Sequence, residues 1–398
     1  MNTATTDTQV TPVLSSAPDG RLAIIPLESI SGIGKKVNDY LVEWRSNRVR
    51  TGIVKNENGY ARDTYIIGSV VPRFGSGEAK GMVTESVRGD DIYVMVDVCN
   101  YSMTYKLGGF ENAMSPDDHF QDLKRIIAAV SGKAKRISVI MPYLYEGRQQ
   151  RRSGRESLDC ADALQEITAM GVENIITFDA HDPRVMNAIP LHGFETVSPT
   201  YQFIKNILRY APDLQVDSSH LMAISPDEGG MSRAIYLANV LGIDMGMFYK
   251  RRDYSTLISG TNPVVAHEFL GAEVRGKDMI IIDDMISSGD TVLETAQLLK
   301  KMKANRIFIC STFGIFTNGL TRFDEAYKKG LFTKLITTNL VYQTDDLLSK
   351  EYYVSCDMSK FIALIIDTLN HDSSLSGLLN PVDRINGVLE KHRKQQKI

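Results

Sequence analysis

Apolar residues along this chain fall in two alternating rhythms. Short apolar blocks read as buried strands at Leu22–Ile25, Ile92–Val98, Ile137–Met141 and Asn174–Phe178, and again at Leu221–Ile224, Met245–Phe248, Met279–Ile282 and Ile307–Cys310. Between them the spacing turns helical. Val37, Leu41 and Trp44 share one side of Gly34–Trp44, and Leu123, Ile127 and Val130 share one side of Phe120–Val130. Met231–Leu241 and Thr291–Met302 repeat the pattern in the second half. Strands alternating with helices predict parallel sheets with helices on both faces. The alternation runs twice, so the predicted fold is α/β with two tandem domains, each a mostly parallel sheet flanked by helices, and a site between them.

The boundary is expected near Ser198–Thr200, where a proline follows Ser198 and a new helical pattern opens at Tyr201. The expected division is a tail over 1–20, a first α/β domain over 21–199, a second over 200–356 and terminal helices over 357–398. Met1–Gly20 is rich in Thr, Ser, Pro and Ala, without a basic start or an apolar core, and reads as a disordered tail rather than a signal peptide.

Composition narrows the class without identifying the chain. A length of 398 residues exceeds one ordinary core, and 43% hydrophobic with 23% charged residues suffices to build two. A net charge of −3 gives no support for a nucleic-acid partner or an anionic membrane surface. No apolar run approaches the ~20 residues that cross a bilayer. Cys99, Cys160, Cys310 and Cys356 are widely spaced, which predicts buried reduced thiols and a cytoplasmic, reducing location.

Met279–Thr291 carries the clearest chemistry. An apolar strand ends on Asp283 and Asp284, a turn of Ser287, Ser288 and Gly289 follows, and a helix begins at Thr291. A polar turn opening a helix points unpaired backbone N–H groups and the positive end of the helix dipole at an anion. Two carboxylates would repel a phosphate placed directly on them, but they suit vicinal sugar hydroxyls or a bridging metal. A pentose 5-phosphate satisfies both halves.

This segment resembles the phosphoribosyl diphosphate signature of phosphoribosyltransferases and ribose-phosphate diphosphokinases. The rest of the chain favours the second: Glu85–Gly89, Pro142–Gln149, Phe178–His181, Ser225–Gly230 and Lys250–Arg252 resemble the diphosphokinase family's blocks, in its order. The resemblance implies two phosphoribosyltransferase-like domains and transfer of the β,γ-diphosphoryl group of ATP to the C1 hydroxyl of ribose 5-phosphate, giving PRPP and AMP with Mg2+. It implies Lys250 and Arg252 as catalytic cations. Asp283, Asp284, Ser287, Ser288, Gly289 and Thr291 would hold ribose 5-phosphate. Phe74, Glu78, Arg148, Gln149 and His181 would bind ATP, with His181 and Asp227 beside the metal. It further implies a homo-oligomer, hexameric in this family, with Phe74 reaching a neighbouring subunit, and a last helical pattern, Ser359–Leu369, that returns to pack on the first domain.

Three departures from the family stand out. Asp290 adds a charge to the phosphate turn; Ser76 replaces a carboxylate in Phe74-Gly-Ser-Gly-Glu78; Gln150 replaces another after Arg148-Gln149. The last two fall on the nucleotide side. They leave room for two alternatives, a non-catalytic regulatory member of the family and a phosphoribosyltransferase. Thr51–Ile67 and Asn100–Asp118 read as polar loop insertions, and Lys391–Lys394 as a solvated helix end.

Overall fold

The computed structural model describes Pro18, residues 20–252 and residues 264–396. The first part runs β1 (Arg21–Pro26), α1 (Ser31–Arg50), β2 (Ser69–Val70), β3 (Met82–Val83), β4 (Asp90–Met95), β5 (Thr104–Leu107), β6 (Phe110–Ala113), α2 (Pro116–Val130), β7 (Arg136–Ile140), α3 (Asp159–Ala169), β8 (Asn174–Phe178) and β9 (Gly193–Val197). The second begins α4 (Thr200–Tyr210), β10 (Leu221–Ser225), α5 (Met231–Leu241), β11 (Asp244–Arg252), β12 (Val264–Leu270), β13 (Asp278–Ile286) and α6 (Asp290–Lys301). It continues β14 (Ile307–Gly314), α7 (Thr321–Lys328), β15 (Lys334–Thr338), α8 (Asp345–Ser349), β16 (Tyr353–Cys356), α9 (Ser359–Asn370), α10 (Ser376–Leu379) and α11 (Val382–Gln395).

Two sheets organise these elements. The first has the order β1-β4-β7-β8-β9, parallel throughout. The second has the order β12-β11-β10-β13-β14-β15-β16, parallel except for the antiparallel edge pair β11–β12. Every residue of β4 and of β14 is buried, as expected of strands covered on both faces. Ser115 caps α2 in a reciprocal box with Asp118, and Pro116 occupies the first turn, so this helix starts upstream of its apolar stripe.

One core cluster joins the two parts. Ile24, Tyr93 and Met95 of the first sheet pack with Phe313, Leu340 and Val341 and with the apolar face of α9, including Ile362 and Ile366. Helix α9 follows the last strand of the second sheet yet lies against α1. There Arg45 Nε and Arg48 Nη2 donate to the two oxygens of Asp367 at 2.9 and 2.6 Å, all three residues buried.

The Thr51–Ile67 segment, read from sequence as a polar loop insertion, is partly buried and paired with the sheet. Tyr60, Tyr65 and Ile67 are buried, and Ile24 N donates to Tyr65 O while Ile67 N donates to Ile24 O, so the segment extends the edge of the first sheet beside β1. Asn100–Asp118 contains the β5–β6 hairpin. The Lys391–Lys394 run is not wholly solvated either: His392 is buried, with Nε2 2.8 Å from Leu214 O. The cysteines are free thiols, three of them buried and Cys99 half-buried. Among the described residues, no helix is long and apolar enough to cross a membrane.

Candidate active site

Strand β13 delivers the acidic pair to the end of the second sheet. Asp283 and Asp284 stand near its C-terminal end, and the turn after it opens α6. The turn is braced from below: Ile315 and Phe316 N–H groups donate to Ile286 O, and Thr317 N donates to Ser287 O. Gly289 adopts φ +86°, and a Cβ there would lie 2.3 Å from Phe323 Cζ, so the close approach of the turn to α7 requires glycine. The turn and the first residues of α6 line a cleft, and a helix N-terminus is suited to hold an anion.

Asp290 also lines this cleft, with its charge partnered. Its carboxylate accepts from Ser288 Oγ at 2.8 Å and pairs with the Arg322 guanidinium on α7. The extra charge noted in the sequence is thus matched by a cation.

A cavity of about 420 Å³ opens over the turn. Ser287, Ser288, Gly289 and Thr291 line it, with Asp283, Asp284 and Asp227 from the second sheet and Arg148 and His181 from the first. His181 Nδ1 lies 2.6 Å from Asp284 Oδ2. A carboxylate accepts, so Nδ1 carries the proton and Nε2 is left for a ligand. Asp227 Oδ1 accepts from Gly229 N at 2.9 Å, which orders the Ser225–Gly230 turn at the cavity rim.

The two adjacent carboxylates separate electrostatically. Burial, reinforced by the charges of Asp284 and Asp227, pushes Asp283 well above the usual carboxylate range. Burial also opposes ionisation of Asp284, but the His181 hydrogen bond and the Arg233 charge outweigh it and hold Asp284 below that range. The carboxyl oxygens of such a pair can accept from sugar hydroxyls.

Residues 22–171 match the family model of the N-terminal domain of ribose phosphate pyrophosphokinase, and residues 201–345 match that of the phosphoribosyl transferase domain. The chain belongs to the ribose-phosphate pyrophosphokinase family. Curated relatives include the ribose-phosphate pyrophosphokinase of Vibrio parahaemolyticus, 26% identical over 314 residues, 78% of this chain and 90% of that protein. That of Mycoplasma genitalium is 28% identical over 290 residues, covering 72% and 79%. The crystal structure of phosphoribosylpyrophosphate synthetase from Mycobacterium smegmatis superposes with a TM-score of 0.68 at 20% identity, over 89% of this chain and 100% of that one, and shares the fold. The protein is accordingly an enzyme of the diphosphokinase family; the match over residues 22–171 is to that family's own N-terminal domain.

Not every expected site residue of this pyrophosphokinase-family chain meets at the cavity. Phe74 and Glu78 do not line it. They sit on a tight turn in which Phe74 N donates to Glu78 O at 2.7 Å, with the Phe74 ring half exposed. Gln149 does not line it either; its N–H donates to Glu146 O at 2.7 Å, and next to it the buried Gln150 Oε1 has no hydrogen-bond partner among the described residues. Lys250 and Arg252 fall in β11, their backbones paired with His267 and Val264, and their side chains lie outside the described residues.

Residues not singled out from sequence complete the site. Asp179, with φ +41°, accepts from Arg233 Nε at 2.7 Å and from Thr312 Oγ1 at 2.6 Å. Arg233 Nη2 also lies 3.7 Å from Asp284 Oδ2. One guanidinium on α5 therefore ties the loop after β8 to the acidic pair on β13. Asp179 belongs to a block already noticed, but nothing local marks Arg233 as its partner.

Proposed function

We propose that this protein transfers the β,γ-diphosphoryl group of ATP to the C1 hydroxyl of ribose 5-phosphate, giving PRPP and AMP. One observation carries the reading: the acidic pair and an anion-cradling turn share a cavity with Arg148 and His181 from the other sheet. Ribose 5-phosphate would place its phosphate on the Ser287–Thr291 turn and its vicinal hydroxyls on Asp283 and Asp284. The triphosphate would then lie toward Arg148 and His181, where positive and hydrogen-bonding groups neutralise and align it. Such a transfer depends on positioning and charge neutralisation rather than covalent help from the protein.

The donor set suits Mg2+. Among the described residues no three His, Cys, Asp or Glu side chains gather into a cage, but magnesium is commonly held by one or two carboxylates together with substrate phosphates and water. Asp227 would supply a carboxylate, and His181 Nε2 would act on a metal-bound water or a phosphate oxygen. Magnesium would neutralise the triphosphate. A homo-oligomer, hexameric in the resemblance noted above, would let Phe74 and Glu78 serve the nucleotide site of a neighbouring subunit, and a cytoplasmic location suits both substrates.

Incubation with ATP, Mg2+ and ribose 5-phosphate, with AMP and PRPP measured, tests the reading. Both products should form in equal amounts. In Lys250→Ala and Arg252→Ala kcat should fall on the order of 10²–10³-fold, the size seen when a group stabilising transition-state charge is removed. Ligand binding without turnover in the unmodified protein would instead favour a non-catalytic regulatory subunit.

A further inference from the structure

Resting on the proposed reaction, in which the Phe74–Glu78 turn meets the purine, we infer that the β5–β6 hairpin positions this turn: Tyr105 and Leu107 hold it in one conformation and so set the affinity for ATP. The hairpin lies in Asn100–Asp118, the second of the inserted stretches.

The turn is poorly equipped to hold its own shape. Its five residues include Gly75 and Gly77, the latter at φ +89°, and a Cβ on Gly75 would meet nothing within 4 Å. Glycines lose much conformational freedom on ordering. Inside the turn, Phe74 N donates to Glu78 O, Gly77 N donates to Phe74 O at 2.9 Å, and the Ser76 hydroxyl donates to Glu78. Strands β2 and β3, which lead into and out of it, have two residues each and are too short to stand alone.

Neighbours supply the rest. At the base, Arg73 Nη2 donates to Asp122 Oδ2 on α2 at 3.1 Å, and a Cβ on Gly81 would lie 2.6 Å from the Arg125 backbone, so this end is seated on α2. At the tip the neighbour is the hairpin. The three atoms nearest a Cβ built on Gly77 all belong to Leu107, the closest at 3.1 Å. Tyr105 is two residues earlier and therefore on the same face of β5; it carries the Arg73 guanidinium over its ring, 4.9 Å from the centre. Arg73 thus joins α2, the hairpin and the turn.

The hairpin is itself rooted. Asn100, buried where the segment begins, donates through Nδ2 to Ser29 O at 2.8 Å, and its carbonyl oxygen lies 2.8 Å from His119 Nε2 on α2. Met114 N donates to Met103 O at 2.8 Å and closes the open end; Gly108 and Gly109, both at positive φ, close the other. A turn held this way presents Phe74 already ordered. Loosening it adds an ordering cost to nucleotide binding and leaves the acidic pair and phosphate turn, whose cavity Phe74 does not line, untouched.

Calorimetry with ATP, amide hydrogen exchange without ligand, and steady-state kinetics on the full chain test this. Leu107→Ala and Tyr105→Ala should each weaken ATP binding and raise the KM for ATP by about three-fold to ten-fold, with kcat and the KM for ribose 5-phosphate within about two-fold of the unmodified values. Both should speed exchange at the amides of the turn. Leu107→Met and Tyr105→Phe keep the contacts and should match the unmodified protein, as should Lys106→Ala on the opposite face of β5. Unchanged exchange in the alanine variants, faster exchange with unchanged ATP affinity, or an equal effect of Lys106→Ala would each overturn the inference. Absence of PRPP formation by the unmodified protein would defeat the proposed reaction instead, and the exchange and calorimetry arms would still decide whether the hairpin sets ATP affinity.

Discussion

Arg233 on α5 donates to Asp179 in the loop after β8 at 2.7 Å, and this ion pair crosses from one sheet to the other within reach of Asp284. Asp179 is half-buried, and desolvation raises its carboxyl above the usual range even with Arg233 and Thr312 opposing the shift. Removing the cation would leave a largely desolvated carboxylate uncompensated. Arg233→Met should therefore destabilise the protein by about 2–4 kcal/mol, the lower part of the range for breaking buried pairs because both side chains keep some exposure. Arg233→Lys keeps the charge but not the forked geometry and should fall between. Equilibrium denaturation of the three proteins checks the order; equal stabilities would remove Arg233 from this role.

Gly289 makes a second prediction about the cavity. An alanine there meets the Phe323 ring and must also hold a left-handed backbone, a strain of roughly 1–2 kcal/mol by itself. Gly289→Ala should lower ribose 5-phosphate affinity by about ten-fold or more. Adding Phe323→Leu should return only part of it, since the backbone strain persists. Calorimetry with ribose 5-phosphate separates the two contributions, and unchanged affinity in Gly289→Ala would mean that the turn does not hold the phosphate.

The phosphate turn was legible because its signal is local: apolar strand, carboxylates, Ser/Gly turn and helical period follow one another in sequence. The same holds for β8 and α5, whose bounds the periodicity gives to the residue. What escaped depends on partners distant in sequence. Arg45 and Arg48 look like the polar side of a surface helix until Asp367 arrives more than three hundred residues later. Tyr60, Tyr65 and Ile67 follow no period, because their segment is ordered by pairing with β1 and by the buried arginines rather than by its own secondary structure. Short strands such as β16 give too few residues for alternation to register.

Asp97 gives a pH prediction. Its carboxylate accepts from Cys99 N and, across to the second part of the chain, from Tyr342 N, each at 2.8 Å. Burial nonetheless raises it to about 7. From about pH 4 to pH 7 the folded protein keeps a proton that the unfolded chain has released, so this group's contribution is fully present below about pH 4 and is lost as pH rises through 7. Three units correspond to on the order of 4 kcal/mol. Asp97→Asn cannot titrate. The stability of the unmodified protein minus that of Asp97→Asn should therefore shrink by up to that amount between pH 4 and pH 8, and a pH-independent difference would show that Asp97 is ionised throughout.

The last prediction concerns the nucleotide. On the proposed reading, the turn from Phe74 to Glu78 meets the purine, and Ser76 stands where the family places a carboxylate. Ser76 Oγ donates to Glu78 Oε2 at 2.8 Å, so the hydroxyl occupies part of the one carboxylate left at the tip. Adenine presents an amine where guanine presents a carbonyl oxygen. A carboxylate favours the first and repels the second, whereas a neutral hydroxyl bonds either; a charged contact of ~1.5–3 kcal/mol is replaced by a neutral one of ~0.5–1.5. Stacking on Phe74 is indifferent to the base. ATP should remain the preferred donor, with GTP retaining a measurable fraction of its kcat/KM. Ser76→Asp should widen the gap by about ten-fold, mostly by weakening GTP. Comparing kcat/KM for ATP, GTP, CTP and UTP in both proteins decides the point: strict use of ATP by the unmodified enzyme, unchanged in Ser76→Asp, would mean that base selection is made by other residues.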